Sequence, residues 1–277
     1  MDGKQTNDMG VSVEAGSASG SVASEGFVGV FDSGVGGISV LRHLVNELPS
    51  EHFRFFGDSA HAPYGGKRAE EIVRLSDDIA QRMVADGAKA LVIACNTATS
   101  AAAPTLRERY ADMPVIGVEP ALKPAVLAGG DKAVLVMATE VTLSLDKFHQ
   151  LANRWAGGTK LLTVPCRGLV ERIEQGDFDA PDMIQLLEDL VGRYRGKVDR
   201  VVLGCTHYPF VCKQIAQVLG DVRFFDGGRG TARQLRRLLE RDRLLREGGT
   251  GSVTFASSVD TPAELAMYQR LFDIAPL

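Results

Sequence analysis

The sequence has no apolar stretch near the roughly 18 residues that a membrane-spanning helix requires, so a membrane is not an expected partner. Its first 25 residues also lack the apolar core of a secretory signal. Positive charge is not in excess, because the formal net charge is −4 and no basic stripe stands out. Nucleic acid is therefore not an expected partner either. Together these absences favour a cytoplasmic protein.

Cysteine is scarce, and its spacing excludes two common functions. The chain has four cysteines and no CxxC pair: Cys95, Cys166, Cys205 and Cys212. Neither a zinc knuckle nor a thioredoxin-like motif fits that spacing, so no metal site is predicted. In the cytoplasm the thiols stay reduced. They are then available as nucleophiles or as acids and bases.

What the chain does contain is a regular alternation of apolar strands and amphipathic helices. This pattern predicts an α/β fold built on doubly wound, mostly parallel sheets. Residues 1–25 are rich in Gly, Ser and Ala, and we predict that they form a disordered extension. Residues 27–117 with 231–277 are predicted to form one domain and residues 118–230 a second, similar one. We expect these two pseudo-symmetric domains to face each other across the active site.

Two short stretches in these halves look like copies of one pattern. Residues 91–97 read Leu-Val-Ile-Ala-Cys-Asn-Thr, and residues 201–207 read Val-Val-Leu-Gly-Cys-Thr-His. Each is an uncharged run that suits a buried parallel strand, followed by a cysteine and polar side chains. Residues that follow such strands lie at the edge where open α/β sheets bind ligands. The pattern places Cys95 and Cys205 at equivalent ligand-binding edges.

Two thiols at equivalent edges suggest several kinds of chemistry. A single nucleophile would need only one of them, with His207 as a base for Cys205. Proton transfer would use both, with one thiolate removing a proton from a carbon and the other thiol protonating the opposite face. Asp32 and His207 are polar neighbours that could tune the thiols. A lone cysteine is more often a small buried core residue, but two matched stretches outweigh that alternative.

Two loops carry further polar residues after predicted strands. Asp32 and Ser33 follow the strand at 27–31 and precede a glycine-rich turn, Gly34–Gly37, that could present backbone N–H groups to an anion. Asp and Ser also cap helices, and the sequence leaves the two interpretations equally open. The segment from Asp58 to Lys67 is either a binding loop or a plain turn.

At these residues the chain resembles glutamate racemase, a cofactor-independent family that makes D-glutamate for peptidoglycan. The matching stretches are Phe31–Gly37, Asp58–Gly65, Ala94–Ala98, Gly117–Pro120 and Gly204–Pro209. The resemblance implies racemisation of L- and D-glutamate with no cofactor, and it makes Cys95 and Cys205 the acid–base thiols. It also implies that Asp32 and His207 assist the thiols. The substrate contacts it implies are Asp32, Ser33, Tyr64, Gly65, Asn96, Thr97, Thr206 and His207.

The family also has a supporting glutamate that the resemblance places at Glu174. This glutamate lies eight residues past a cysteine, here Cys166, and two before a glycine, here Gly176. The chain departs from the family nearby, because Arg167 and Glu171 stand where prolines are usual. Cys166 itself is predicted to be structural.

Three alternatives stay open at this point. An aspartate racemase would share both thiols, although the stretch Cys205–Pro209 favours glutamate. A cysteine hydrolase would use only Cys205 and His207, so that Cys95 would be dispensable. A binding protein that inhibits a nucleic-acid enzyme would need neither thiol. Assembly varies within the family, and a homodimer is the assembly that we consider for this chain.

Overall fold

A computed structural model of the chain describes residues 5–6, 12–15 and 26–274. Its strands are β1 (Gln5–Thr6), β2 (Ser12–Ala15), β3 (Phe27–Asp32), β4 (His52–Gly57), β5 (Ala88–Ile93), β6 (Val115–Gly117), β7 (Ala133–Ala138), β8 (Leu161–Pro165), β9 (Val198–Gly204), β10 (Arg223–Phe225) and β11 (Ser252–Ser257).

The α-helices of the described residues alternate with these strands. They are α1 (Ile38–Glu47), α2 (Ala69–Ala85), α3 (Asn96–Arg109), α4 (Leu122–Leu127), α5 (Glu140–Ser144), α6 (Asp146–Trp155), α7 (Leu169–Glu174), α8 (Pro181–Val191), α9 (Cys212–Leu219), α10 (Gly228–Arg241) and α11 (Pro262–Asp273). Short 3₁₀ helices lie at Ser59–His61, Tyr64–Gly66, Gly192–Tyr194 and Tyr208–Val211.

The described chain divides into two compact units. Unit 1 comprises the described residues up to Val118 and from Gly228 onward, and unit 2 runs from Glu119 to Gly227. Unit 1 contains a seven-stranded sheet in the order β1-β2-β11-β4-β3-β5-β6. Its pairs are parallel except for β1 with β2. Unit 2 contains a four-stranded parallel sheet in the order β10-β9-β7-β8. Two α/β units with parallel sheets confirm the predicted fold class.

The two sheets share one strand order. Numbered within its own unit from the first apolar strand, unit 1 reads β4-β3-β5-β6 and unit 2 reads β8-β7-β9-β10, which is the order 2-1-3-4 in both. In this order the chain reverses its direction of winding between the first and third strands. Ligands of open α/β sheets bind at such a switch point, beyond the carboxyl ends of the strands.

The central strands are buried on both faces, which explains their continuous apolar runs. In β7, Val134 and Val136 pack on one face of the sheet with Val202, while Leu135 and Met137 pack on the other. Helices cover both faces of a sheet whose two sides are apolar in this way. The carboxyl ends of these rigid strands then hold the functional residues.

Two helices end elsewhere than their sequence pattern predicts. The apolar spacing of residues 181–195 predicts one helix, but α8 ends at Val191 and the chain continues as a 3₁₀ turn from Gly192, because glycine is a poor helix former. The Arg-rich pattern of residues 231–246 also predicts a helix, but α10 runs over Gly228–Arg241, and Arg243 follows with a positive φ of 56°. Pro104 lies inside α3 and does not end it.

Residues 1–25 are predicted to be a disordered extension, but the parts of it that the structure describes, residues 5–6 and 12–15, are strands. Ser12–Ala15 pairs in parallel with β11, an edge that would otherwise present unpaired N–H and C=O groups. Gln5–Thr6 pairs with β2. The remainder of residues 1–25 lies outside the described residues, so the prediction of disorder there stays a prediction.

Candidate active site

Cys95 lies where the third strand of unit 1 meets a helix. The last four residues of β5 are buried, and Cys95 follows as the N-cap of α3, where its Sγ accepts a hydrogen bond from the backbone N–H of Ala98 at 3.4 Å. Cys95 is itself buried. The N-terminus of a helix carries partial positive charge, which favours a thiolate over a thiol.

A chain of hydrogen bonds connects Cys95 to the carboxylate of Asp32. The thiol of Cys95 lies 3.6 Å from the hydroxyl of Ser33, and that hydroxyl donates to Oδ1 of Asp32 at 2.9 Å. The same Oδ1 accepts the N–H of Gly34 at 3.0 Å. Asp32 and Ser33 are both buried. We call Asp32, Ser33 and Cys95 the Cys95 station.

Asp32 does not cap the helix that follows it, so the structure resolves a question that the sequence left open. The N-cap of α1 is Gly37, and no side chain makes a capping hydrogen bond there. A Cβ on Gly37 would lie 2.6 Å from Cβ of Asp32 and 2.9 Å from its Oδ2. The glycine is needed because the start of α1 comes this close to the carboxylate.

The loop after β4 holds a second buried carboxylate that the sequence analysis did not select. Asp58 accepts a hydrogen bond from the hydroxyl of Tyr64 at 2.6 Å, and its other oxygen lies 2.8 Å from Nδ1 of His61. Burial, and then the hydrogen bond to Asp58, raise the pKa of Tyr64 far above its usual value, so Tyr64 stays protonated. Asp58 directly follows β4 and Asp32 is the last residue of β3, so both carboxylates lie at the carboxyl ends of neighbouring strands, and this similarity could have identified Asp58. Gly65 lies beside Tyr64 in the same 3₁₀ turn.

The first turn of α3 adds two buried polar side chains. Asn96 and Thr97 are both almost completely buried. Within the described part of the chain, Oδ1 of Asn96 has no hydrogen-bond partner. A buried, unsatisfied acceptor costs free energy that a bound donor would recover. An ammonium group is one ligand that would supply such a donor.

Cys205 lies at the matching position of unit 2. It follows β9, the third strand of its sheet, and is buried together with Thr206 and His207. Its Sγ lies 3.7 Å from Nδ1 of His207, and Nε2 of His207 lies 3.0 Å from Oε1 of Glu174 at the end of α7. We call Cys205, His207 and Glu174 the Cys205 station.

The partners of His207 determine its charge. Complete burial lowers the pKa of an imidazole, but the hydrogen bonds to Cys205 and Glu174 and their negative charges outweigh burial and raise the pKa of His207 well above its usual value. These contacts therefore stabilise the protonated form of His207 relative to a free imidazole. His207 thereby links the thiol of Cys205 to the carboxylate of Glu174.

The other two cysteines are in different surroundings. Burial raises the pKa of Cys166 to about 12, and its thiol lies 3.5 Å from the carbonyl oxygen of Val164. Burial also raises the pKa of Cys212 well above its usual value, and that thiol lies 3.7 Å from the carbonyl oxygen of Tyr208. Both remain thiols at neutral pH, which suits the structural role predicted for Cys166.

The structure therefore brings the predicted residues together in two groups. Unit 1 holds one group at the carboxyl ends of β3, β4 and β5: Asp32, Ser33, Tyr64, Gly65, Cys95, Asn96 and Thr97. Unit 2 holds Glu174, Cys205, Thr206 and His207. No cluster of three or more metal-ligating side chains occurs in residues 26–274, and no helix described there is long and apolar enough to cross a membrane.

Comparison with known proteins gives one consistent result. Residues 28–235 match the family model Asp/Glu/Hydantoin racemase. A glutamate racemase of Clostridium perfringens is 43% identical over 250 residues, which cover 89% of this chain and 96% of the relative.

Two solved structures are similar along most of their length. Escherichia coli glutamate racemase, in complex with L-glutamate and the activator UDP-MurNAc-ala, superposes with a TM-score of 0.79 and 31% identity, covering 91% of this chain and 99% of that one. Francisella tularensis glutamate racemase in complex with D-glutamate gives a TM-score of 0.78 and 27% identity, with 91% and 95% covered. The chain therefore belongs to the Asp/Glu/hydantoin racemase family, among its glutamate racemases.

Proposed function

We propose that this chain interconverts L- and D-glutamate by moving protons between two thiols and opposite faces of Cα. Cys95 and Cys205 are the acid–base pair. Asp32 acts on Cys95 through Ser33, and Glu174 acts on Cys205 through His207. The reaction uses no cofactor, because one thiolate supplies the base and one thiol supplies the acid.

One observation carries this proposal. Each unit places a thiol within two residues of the end of the third strand of its 2-1-3-4 order, β5 or β9, at the switch point where such sheets bind ligands. Each thiol also has its own hydrogen-bonded chain to a carboxylate, Cys95 to Asp32 and Cys205 to Glu174. A single-nucleophile enzyme would need one such arrangement, whereas a racemase needs two.

In each turnover Cα of glutamate loses one proton and gains another. By analogy with the family, the thiolate of Cys95 removes the Cα proton of D-glutamate, and the electron pair stays on carbon. The thiol of Cys205 then protonates the other face and becomes a thiolate. L-glutamate leaves, and proton exchange with solvent restores the starting charge states. The reverse reaction exchanges the two roles.

Glutamate as substrate is supported by the relatives that hold it. The Escherichia coli and Francisella tularensis structures contain L- and D-glutamate respectively. In this chain the first turn of α3, with Asn96 and Thr97, offers backbone and side-chain groups to a carboxylate and an ammonium. Ser33, Tyr64, Gly65 and Thr206 complete the proposed substrate contacts.

The test is solvent exchange during inversion. Wild type, Cys95→Ser and Cys205→Ser are incubated with either isomer in D2O, and inversion and deuterium at Cα are followed by chiral chromatography and mass spectrometry. We expect wild type to give inverted, deuterated product. Each serine variant should lose at least about 100-fold in inversion rate, the lower range of what one acid–base group contributes.

Cys212→Ser is the matched control, since it replaces a buried thiol of unit 2 outside the stations. It should keep near-normal inversion. If Cys95→Ser inverts freely while Cys205→Ser does not, a single-nucleophile mechanism with His207 replaces this proposal. If wild type labels aspartate but not glutamate, the two-thiol mechanism stands and the substrate is wrong.

Three wider parts of the proposal follow from the resemblance. The D-glutamate produced would supply peptidoglycan synthesis, the enzyme would act in the cytoplasm, and it would form a homodimer. Analytical ultracentrifugation at several protein concentrations tests the homodimer directly. Rescue of a D-glutamate-requiring bacterium by the wild-type chain, and not by Cys95→Ser, tests the supply role.

A further inference from the structure

Three lysines form a row at the edge of unit 2 opposite Cys205. Lys132, Lys160 and Lys197 each directly precede a strand, β7, β8 and β9 respectively. These strands are parallel neighbours, so their amino ends share one edge of the sheet. Neighbouring strands lie about 4.8 Å apart, which places the three lysine backbones across roughly 10 Å.

A cavity of about 490 Å³ opens at this edge. The three lysines line it together with Arg193 and Tyr194 from the 3₁₀ helix Gly192–Tyr194, and we call these five residues the basic pocket. Asp131, Ala133 and Leu162 complete the lining. A volume of this size is within the range of small-molecule sites.

Positive charge is in excess in the basic pocket, as far as the described residues show. Among the residues that the structure describes, Lys132, Lys160, Arg193 and Lys197 form no ion pair. Other cations of unit 2 do pair, for example Arg172 with Asp182. Four cations with one lining carboxylate stand out in a chain whose formal net charge is −4. Cations gathered in a concave site raise the local concentration of anions.

The equivalent edge of unit 1 shows that the fold does not require this row. The residues directly before β3, β4 and β5 are Gly26, Glu51 and Gly87, although the strand order is the same. Glu51 is buried there against Lys89, with 2.7 Å between Oε2 and Nζ. The lysine row therefore reflects the sequence of unit 2 and not the topology.

We propose that the basic pocket binds a small molecule that carries two or more phosphate groups. The guanidinium of Arg193 lies over the ring of Tyr194, 4.8 Å from its centroid. A stacked guanidinium keeps its N–H edge available for bidentate contact with phosphate. The lysine row supplies point charges for a second phosphate. This site is independent of the racemase chemistry proposed above.

Isothermal titration calorimetry of the full chain with inorganic pyrophosphate, and separately with ADP, tests the proposal. We expect saturable binding of pyrophosphate tighter than about 1 mM at low salt, weakening as salt rises. Lys160→Gln and Lys197→Gln should each weaken it about tenfold, as expected for one lost charge-assisted hydrogen bond. Lys213→Gln is the matched control, because Lys213 is an exposed lysine of unit 2 outside the pocket.

The outcomes separate the alternatives. ADP binding more tightly than pyrophosphate, with the difference lost in Tyr194→Ala, would support a nucleotide as the natural ligand; equal affinities would support the phosphate groups alone. Equal losses in Lys213→Gln would show nonspecific charge attraction and overturn the site. So would displacement of pyrophosphate by excess D-glutamate, which would place the anion at the substrate contacts. Binding of a single-stranded oligonucleotide without pyrophosphate binding would also overturn it.

Discussion

His207 is the residue at which the two stations differ most. Its imidazole is buried between the thiol of Cys205 and the carboxylate of Glu174, and its pKa is raised well above the usual value. Cys95 instead lies at the start of a helix and beside a hydroxyl. The Cys205 station therefore depends on titratable side chains, and Cys95 on a hydroxyl and the backbone of a helix start.

The raised pKa of His207 predicts a stability effect with a definite sign. A group whose folded pKa lies above its unfolded value, about 6.5 for histidine, stabilises the fold fully below that unfolded pKa. The contribution is lost as the pH rises through the folded pKa. Glu174→Gln removes one cause of the increase. The variant should therefore be less stable than wild type at pH 6, and the difference should shrink towards high pH.

Urea unfolding at several pH values measures this difference, and Glu171→Gln on the same helix is its control. Glu171 is exposed and does not contact His207, so its variant should show a small and pH-independent change. A loss of stability in Glu174→Gln that grows with pH would contradict the raised pKa of His207.

In activity assays, Glu174→Gln must lower kcat/KM by the same factor for L- and D-glutamate, because the equilibrium constant between the two enantiomers in water is one.

At the residue scale, the sequence pattern carries more information about the positions of the two thiols at strand ends than about their hydrogen-bond partners. Cys95 and Cys205 each follow an apolar run, a local signal that needs no knowledge of distant residues. The contact of Glu174 with His207 joins residues 33 positions apart. Only the family resemblance suggested it, since spacing alone contains no information about this contact. Asp58 lies in a loop that the sequence left open as a binding loop or a plain turn, and its burial depends on contacts such as the hydrogen bond from Tyr64.

At the element scale, the C-terminal helix supports the loop that carries Tyr64. The hydroxyl of Tyr268, in α11, lies 2.9 Å from Oγ of Ser59, directly after Asp58. Tyr268 is completely buried and packs edge-on against Phe55 and Phe255. This helix is distant in sequence but holds the start of the proposed substrate loop against the sheet.

Tyr268→Phe should therefore affect substrate binding more than chemistry. The ring packing remains while the hydrogen bond to Ser59 is lost, at a cost in stability of about 1 kcal/mol. We expect KM for glutamate to rise several-fold with a smaller change in kcat, as measured by initial rates with both isomers. Tyr110→Phe, in the same unit and far from this loop in sequence, is the control. An unchanged KM would show that α11 does not position the loop.

The sequence predicted which elements exist more reliably than where they end. Buried strands such as β7 are marked by their composition, because each residue must be apolar on one face or the other. Helix ends depend on weaker preferences, as at Gly192 and Arg243. Strand β2 had no such signal, since its pairing depends on the edge that β11 offers.

At the scale of the whole molecule, the two units repeat one strand order, which explains the matching positions of the two thiols but not the side chains at the opposite edges of the sheets. The 2-1-3-4 order places a thiol at the same position in each unit. The amino edges of the two sheets have diverged, with an unpaired lysine row in unit 2 and a buried ion pair, Glu51 with Lys89, in unit 1. The shared strand order therefore does not constrain the side chains at the amino ends of the strands.

The buried pair also ties the C-terminal part of the chain into unit 1. Nζ of Lys89 donates to the carbonyl oxygen of Leu244 at 2.8 Å, and Oε1 of Glu51 accepts the N–H of Arg246 at 2.8 Å. The carbonyl group of Leu244 and the N–H of Arg246, in the half-buried segment before β11, are thereby hydrogen-bonded. Removing one partner leaves a charge that the fold cannot solvate.

Lys89→Met should consequently lower the free energy of unfolding by about 3 kcal/mol, because Glu51 would remain buried and unpaired. Lys67→Met provides the contrast: Lys67 and Glu71 have a similar N–O distance of 2.9 Å but are partly exposed, so that solvent screens the pair and its loss should cost much less. Urea unfolding followed by circular dichroism compares the two. The double variant Glu51→Gln/Lys89→Met should cost less than the sum of its single variants by at least about 1 kcal/mol, since it leaves no unpaired charge. Strict additivity would show that Glu51 keeps its charge solvated without Lys89.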